Sequence, residues 1–400
     1  MNELERFRSV VNGEKPDYMP IFGFPGAPGM SRGAMRKTWQ RLHETGMPRH
    51  VGGANKNEAV ASWMRYWGTT GPTGVGFKYG YGEEGIGQTS RIEGDFEIVE
   101  HESGALTRQV LNNNQTYSMP EFIRYHVRDR ASWEFYRDRR TPRAKMEPDE
   151  FEAACRRHDG RDYPLMVHGM SGYGSVRSAM GPEAASIAFY DDPEMVHEMA
   201  AWRRERVREY VFPLIERLKP EIVQCGEDCC YNHGMLVSPQ MFEEFFGEGY
   251  RELCDCARAN GAQIVAVDTD GNISEFTPMI ESFGVNAIFP CEVKAGNDLF
   301  ALREQHPEFV FFGWLEKETV NEGNEDTIEP EIMGKVPRLM AQGRYFPNGD
   351  HGLQPLVTYP NLQKFMTMLH EVCGNPEGEF PRVSVGAESV GVARGVVSGA

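Results

Sequence analysis

A single (β/α)8 barrel of the TIM type with an irregular N-terminal elaboration is the fold the sequence predicts, and three observations predict it. Short apolar runs recur after residue 160, helical stretches separate them, and each crossover is long enough to bring the next strand back parallel. A chain of 400 residues suits one such barrel with insertions, although length alone would equally suit two or three domains. A doubly wound parallel sheet is the alternative use of the same units.

The first roughly 150 residues are irregular and dense in Gly, Pro and aromatics, with loops expected around Pro20 to Pro25 and from Gly68 to Gly87. Met19 to Phe22 is a candidate first strand, and Met119 to Arg140 has helix-like spacing, read as an amphipathic surface helix. The apolar runs then follow: Pro164–His168, Glu221–Cys225, Gln263–Val267, Asn286–Phe289, Phe309–Phe312 and Arg344–Phe346. The clearest helix spans Pro239 to Asn260. Its apolar residues recur at i, i+3, i+4, with Pro at the start and Gly261 just past the end. Others are expected from Pro193 to Leu218 and from Glu329 to Gln342. The barrel is expected over 1–373 and a peripheral or disordered tail over 374–400.

Composition narrows the functional classes. The chain carries 42 Lys+Arg against 59 Asp+Glu, a net charge of -17, with no basic run to grip nucleic acid or an anionic membrane surface. No window approaches a membrane span and the charged N-terminus lacks the apolar core of a signal peptide, so a cytoplasmic protein is expected. The 8 cysteines form no C-x-x-C pair, which argues for reduced thiols rather than a disulfide framework.

Residues just past the C-terminal ends of parallel barrel strands converge on one mouth. Reading outward from the runs nominates His168 and Tyr173, Glu227 and Asp228, Asp268 and Asp270, Cys291 and Glu292, and Asp350 and His351. Carboxylates crowded around a histidine have raised pKa values, which suits them to proton donation, whereas a cation would hold them ionised. Asp268-x-Asp270 with His351 is a candidate oxygen-rich metal set. The plainer reading is that Asp270-Gly271-Asn272 forms a turn and caps the next helix at Ser274. Gly80-Tyr-Gly82-Glu-Glu-Gly85 spells G-x-G-x-x-G without a strand before it or a helix after it, and is set aside. Cys229 and Cys230 are weak nucleophile candidates.

The segments ERFRSVVNGEKPDYMPI, SPQMFEEFFGEGYRELCDCARANGAQIVAVDTDGNI and GRYFPNGDHGLQPLVTYPNLQKFM resemble the uroporphyrinogen decarboxylase superfamily, which also contains corrinoid-linked methyltransferases. The resemblance runs over roughly residues 1–373 and implies the (β/α)8 barrel. It implies a homodimer as well. In the decarboxylase an arginine-rich segment binds the acidic tetrapyrrole, but the matching stretch here, FGFPGAPGMSRGAMRK, offers only Arg32, Arg36 and Lys37. The thiol-methylating branch holds zinc on H-x-C-G and a later Cys. Asp268-Thr-Asp270-Gly271 and His351 stand in those places, without the thiolates.

What the resemblance implies is a methyltransferase that passes a methyl group from a small methylated substrate, such as a methyl ether, to a corrinoid protein. The corrinoid would come on a separate partner, because this chain has no D-x-H-x-x-G motif. Zinc is the metal implied. Glu227, Asp268, Asp270 and His351 are the expected catalytic residues, with His168, Tyr173, Asp228, Trp314 and Asp350 around the substrate. One alternative is decarboxylation of a tetrapyrrole or smaller carboxylic acid, with no cofactor. A small-molecule binding barrel without chemistry is the other.

Overall fold

A computed structural model describes residues 1–22, 36–54, 56–79, 87–111, 120–140, 145–323 and 325–385. Arg32 of the segment compared with the decarboxylase, the G-x-G-x-x-G run and the tail beyond residue 385 lie outside the described residues. The chain divides into two compact units. One draws on Pro72–Asn113 and Ser118–Asn286, the other on Met1–Gly71 and Ala287–Ala400. Strands alternate with helices in both units, and the fold is of the TIM-type (β/α)8 class. Among the described residues no helix is long and apolar enough to cross a membrane.

The first unit carries β1 (Thr73–Gly74), an antiparallel sheet of β2 (Gln88–Glu93), β3 (Phe96–His101), β4 (Leu106–Val110) and β5 (Glu121–Arg124), and then β6 (Leu165–His168) and β7 (Ile222–Gly226). The hairpin β8 (Cys230–Tyr231) and β9 (Gly234–Met235) follows, and β10 (Ile264–Thr269) completes the unit. β1, β6, β7 and β10 pair in parallel in that order. Parallel partners in register share a face. Leu165, Val167, Val223, Cys225, Val265 and Val267 therefore make one buried face.

The four-stranded antiparallel sheet is absent from the sequence-based expectation. Met119–Arg140 is not one helix either: Glu121–Arg124 pairs with β4, and a helix starts only at Arg130, capped by Asp129. Pairing to a neighbouring strand overrides the helical spacing there. The helix expected from Pro193 to Leu218 breaks into Pro193–Tyr210 and Phe212–Leu218, where Pro213 supplies no backbone donor. Pro239 to Ala259 is helical as expected, with one π turn at Glu243–Gly247.

The second unit carries β11 (Ala287–Pro290), β12 (Val310–Leu315) and β13 (Tyr345–Gly349), again parallel and in order. The stretch expected as a first strand forms a single bridge from Phe22 to Thr70, since Pro20 has no N–H to extend a ladder. The helix expected from Glu329 is two, Glu325–Met333 and Val336–Gln342. Phe312 stacks on Phe346 at 4.6 Å, Phe22 meets both at 5.4 and 5.0 Å, Phe7 stacks on Phe346 at 5.5 Å, and Phe289 stands 6.2 Å from Phe312. Gly313 is required at this point. At φ 115° a Cβ there would stand 1.8 Å from the Pro290 carbonyl oxygen.

Candidate active site

The ends of β6, β7 and β10 bring four positions onto one face. His168 pairs with Gln224, Asp268 pairs with Gly226, and Gln224 and Gly226 are two residues apart, so all four look the same way. A side chain added to Gly226 would meet nothing within 4 Å, so open space lies over the middle of the group. Water reaches His168 and partly reaches Asp268, yet burial lowers the imidazole pKa and raises the carboxyl. Groups that are both wetted and desolvated line a recess.

Asp268 is the most perturbed of them. Burial first, then the charges of Asp270 and Asp228, push its carboxyl from the usual 3.8 up to about 8. A carboxyl shifted this far toward neutral pH suits the donor role that general acid catalysis uses. Asp228 sits at φ 48° and pairs with Arg177 at 2.6 Å. The left-handed conformation recurs at Cys291 (φ 60°), just past β11, and at Trp314 (φ 64°), inside β12. Each such non-glycine residue costs about 1–3 kcal/mol, and such strain concentrates at functional sites.

The loop behind Asp268 is held rigidly. Gly271, at φ 84°, lets the loop run against the β8–β9 hairpin, because a Cβ there would lie 2.6 Å from the backbone of Cys230 and Tyr231. Thr269 Oγ1 accepts from the Cys229 N–H at 3.1 Å, and Asn272 N–H donates to the Tyr231 carbonyl at 2.9 Å. The Asn272 side chain accepts from the Ser274 N–H at 3.1 Å, but the next helix starts at Phe276, with Glu275 rather than Ser274 at its N-cap. The two thiols of the hairpin are buried 3.9 Å apart, and burial raises Cys229 well above the usual thiol range, away from thiolate chemistry.

Glu227 is differently used. It is buried and accepts from the Gly172 N–H at 2.5 Å, the Gly174 N–H at 2.8 Å and the Tyr250 hydroxyl, with Arg203 adding favourable charge. Burial raises its pKa, and these donors oppose the rise. The geometry is that of a brace fixing the loop after β6. Tyr173, next on that loop, is fully buried with its ring 6.2 Å from Phe189.

In the other unit Asp350 is buried and accepts from the N–H groups of Lys317 at 3.0 Å and Val293 at 3.2 Å, with the Lys317 ammonium at 3.7 Å. It ties the segments following β11, β12 and β13. Trp314 donates from Nε1 to the Asn297 carbonyl at 2.7 Å, meets Phe300 edge-on at 5.0 Å and lies under the Lys335 ammonium at 4.5 Å. Its ring is committed to the packing rather than offered to a substrate. His351 is half-buried two residues beyond β13.

Among the described residues no group of three or more His, Cys, Asp or Glu side chains gathers as ligands for a metal ion. Asp268 and Asp270 alone fall short of the three protein ligands of a catalytic zinc centre. Gln224, Arg203, Tyr250 and Lys317 were missed from sequence. Only Gln224 had a signal, a lone polar residue inside an apolar run.

A TIM-type α/β protein with a carboxyl of raised pKa at its strand ends is the class these features define. The family model for uroporphyrinogen decarboxylase (URO-D) matches residues 154–372, more than half of the chain, and the chain belongs to that family. Among solved structures, a methyltransferase from Methanosarcina mazei is similar with a TM-score of 0.58, covering 93% of this chain and 99% of that one at 11% identity. That likeness is one of fold. No curated protein sequence matches.

Proposed function

We propose that the chain is a methyltransferase that moves a methyl group from a small methylated compound, such as a methyl ether, to a corrinoid carried by a partner protein. The observation that carries the reading is the Asp268 carboxyl on the face that holds the open space at Gly226, its pKa raised by burial. Family membership and the fold shared with a methyltransferase support it.

The reduced corrinoid supplies the nucleophile that takes the methyl carbon. As the carbon–oxygen bond breaks, its electron pair stays on the ether oxygen, and the alkoxide or phenoxide that forms needs a proton. Asp268 delivers that proton from its carboxyl, and general acid help of this kind is worth about 10²–10⁴ in rate. His168, kept neutral by its surroundings, and the Gln224 amide sit on the same face to orient the oxygen. Glu227 holds the loop after β6 in place from behind. Asp270 and Asp228 keep Asp268 protonated by their charge.

The same acid fits a second reading, suggested by the matched family, in which decarboxylation of an organic acid leaves a carbanion that Asp268 protonates. The test mixes the purified chain with a reduced corrinoid protein and a panel of methyl ethers and methylamines. Methylcobamide absorbance that grows with wild type and is lost in Asp268→Asn supports methyl transfer. CO2 release from an acid panel transfers the role to decarboxylation. Ligand-induced thermal stabilisation with neither product leaves a binding barrel and overturns both.

A further inference from the structure

The charges that act on the Asp268 carboxyl all have one sign. Asp270 and Asp228 both raise it, and among the described residues no ammonium or guanidinium group opposes them. The backbone brings the three together: the Glu227 N–H donates to the Asp268 carbonyl at 2.8 Å, with Asp228 next after Glu227 and Asp270 following Asp268 and Thr269. Arg177 pairs with Asp228 at 2.6 Å, yet the negative charge of Asp228 still reaches Asp268. Burial holds the His168 imidazole below its usual range, so it adds no positive charge at neutral pH.

A field of this sign sorts ligands. An anion is repelled, an uncharged ether is indifferent, and a cation gains from each carboxylate it approaches. The net charge of -17 adds long-range attraction for the same class. There is room for it, because a Cβ added to Gly226 would meet nothing within 4 Å on the face that Asp268 shares. A cation beside Asp270 and Asp228 also offsets the charges that raise the Asp268 carboxyl, which makes it a stronger acid once the ligand is in place.

We propose that the recess selects methyl ethers that carry an ammonium group, the ammonium lying against Asp270 and Asp228 and the ether oxygen toward Asp268. This selection rests on the reading of the recess as the substrate site, and names the class of methyl donor it takes. As the methyl carbon passes to the reduced corrinoid, the carbon–oxygen electron pair stays on oxygen, the Asp268 proton moves to that oxygen, and the ammonium is left facing the new carboxylate. An alcohol or phenol bearing the same ammonium departs as product. The acid substrates of the decarboxylation reading carry the opposite charge and are turned away.

Ligand-observed NMR titrations of the full chain at pH 7 compare three ethers of similar size: methoxyethylamine, a cation at this pH, uncharged methoxyethanol and anionic methoxyacetate. The amine is expected to bind about tenfold more tightly than the alcohol, and the acetate most weakly. Asp270→Asn should weaken the amine by about tenfold and leave the alcohol unchanged, whereas Asp270→Glu keeps most of the affinity. Arg177→Gln removes the guanidinium beside Asp228 and should tighten the amine. Equal binding of amine and alcohol, tightest binding of the acetate, or an amine affinity that ignores both Asp270→Asn and Arg177→Gln overturns the selection. Methylcobamide absorbance with a reduced corrinoid protein reads the reaction separately. Selective amine binding without transfer keeps the selection and removes the methyl-transfer reading, and transfer from methoxyethanol as fast as from methoxyethylamine does the reverse.

Discussion

Strands β6, β7 and β10 and strands β11, β12 and β13 share one backbone plan, parallel pairing in register with helices between, and use it in opposite ways. Across the second set Phe289, Phe312 and Phe346 share a face, and with Phe22 and Phe7 they close on one another at 4.6–6.2 Å. Across the first set the matching face carries His168, Gln224, Gly226 and Asp268, and nothing fills the space at Gly226. The aromatic set gains stability from each ring it buries. The polar set loses some, because a desolvated carboxyl repelled by two neighbours is uncompensated. A fold that keeps such a residue where a phenylalanine would stabilise it has placed a site there, and the recess at Asp268 is more telling than a list of strand-end carboxylates.

The largest expected effect tests the aromatic half. Phe346→Ala removes a ring that packs against Phe7, Phe22 and Phe312, and should cost about 3–5 kcal/mol. The urea midpoint measures it. A loss under 1 kcal/mol would mean that this face collapses around the gap and is as loosely filled as the other, which removes the contrast.

Next in size is the brace. Glu227→Gln keeps the shape but puts an amide NH2 where only donors point, so at least one of the Gly172, Gly174 and Tyr250 bonds is lost. Bonds to a charged acceptor are worth about 1.5–3 kcal/mol, and a loss of that order in unfolding free energy is expected. Turnover should fall with it through a raised KM, as for a positioning residue. A variant of normal stability that has lost its kcat alone would make Glu227 a proton carrier and move the chemistry off Asp268.

Six strands were legible in the sequence because each is a short apolar run flanked by turn residues, and their ends fell within a few residues of the expected positions. The candidate strand-end residues followed from the strands. What was not legible were the tasks, since a carboxylate after a strand looks the same whether it braces or reacts. Asp350 and Glu227 meet backbone N–H groups from distant segments, and Trp314 is turned into the packing by a left-handed φ, none of which leaves a spacing in the chain. The antiparallel sheet escaped because its strands alternate charges with single apolar residues, and Arg91, Arg108 and Glu121 read as surface.

The smallest effect is the most specific to the polar half. An ordinary aspartate ionises near 3.8, whereas Asp268 in the fold does so at about 8. Between those values the folded chain holds a proton that the unfolded chain has released, so stability falls as pH rises through that window. The loss is complete above about 8. Asp268→Asn cannot ionise and escapes the penalty. Its stability relative to wild type should therefore climb from pH 4 to pH 8 and then level, by on the order of 1–3 kcal/mol once partial exposure to solvent is allowed for. Urea titrations of both proteins at four pH values across the window measure it. A difference that stays flat would show an Asp268 of ordinary pKa, ionised at neutral pH and unable to hand a proton to a leaving oxygen, and the polar face would then differ from the aromatic one in composition alone.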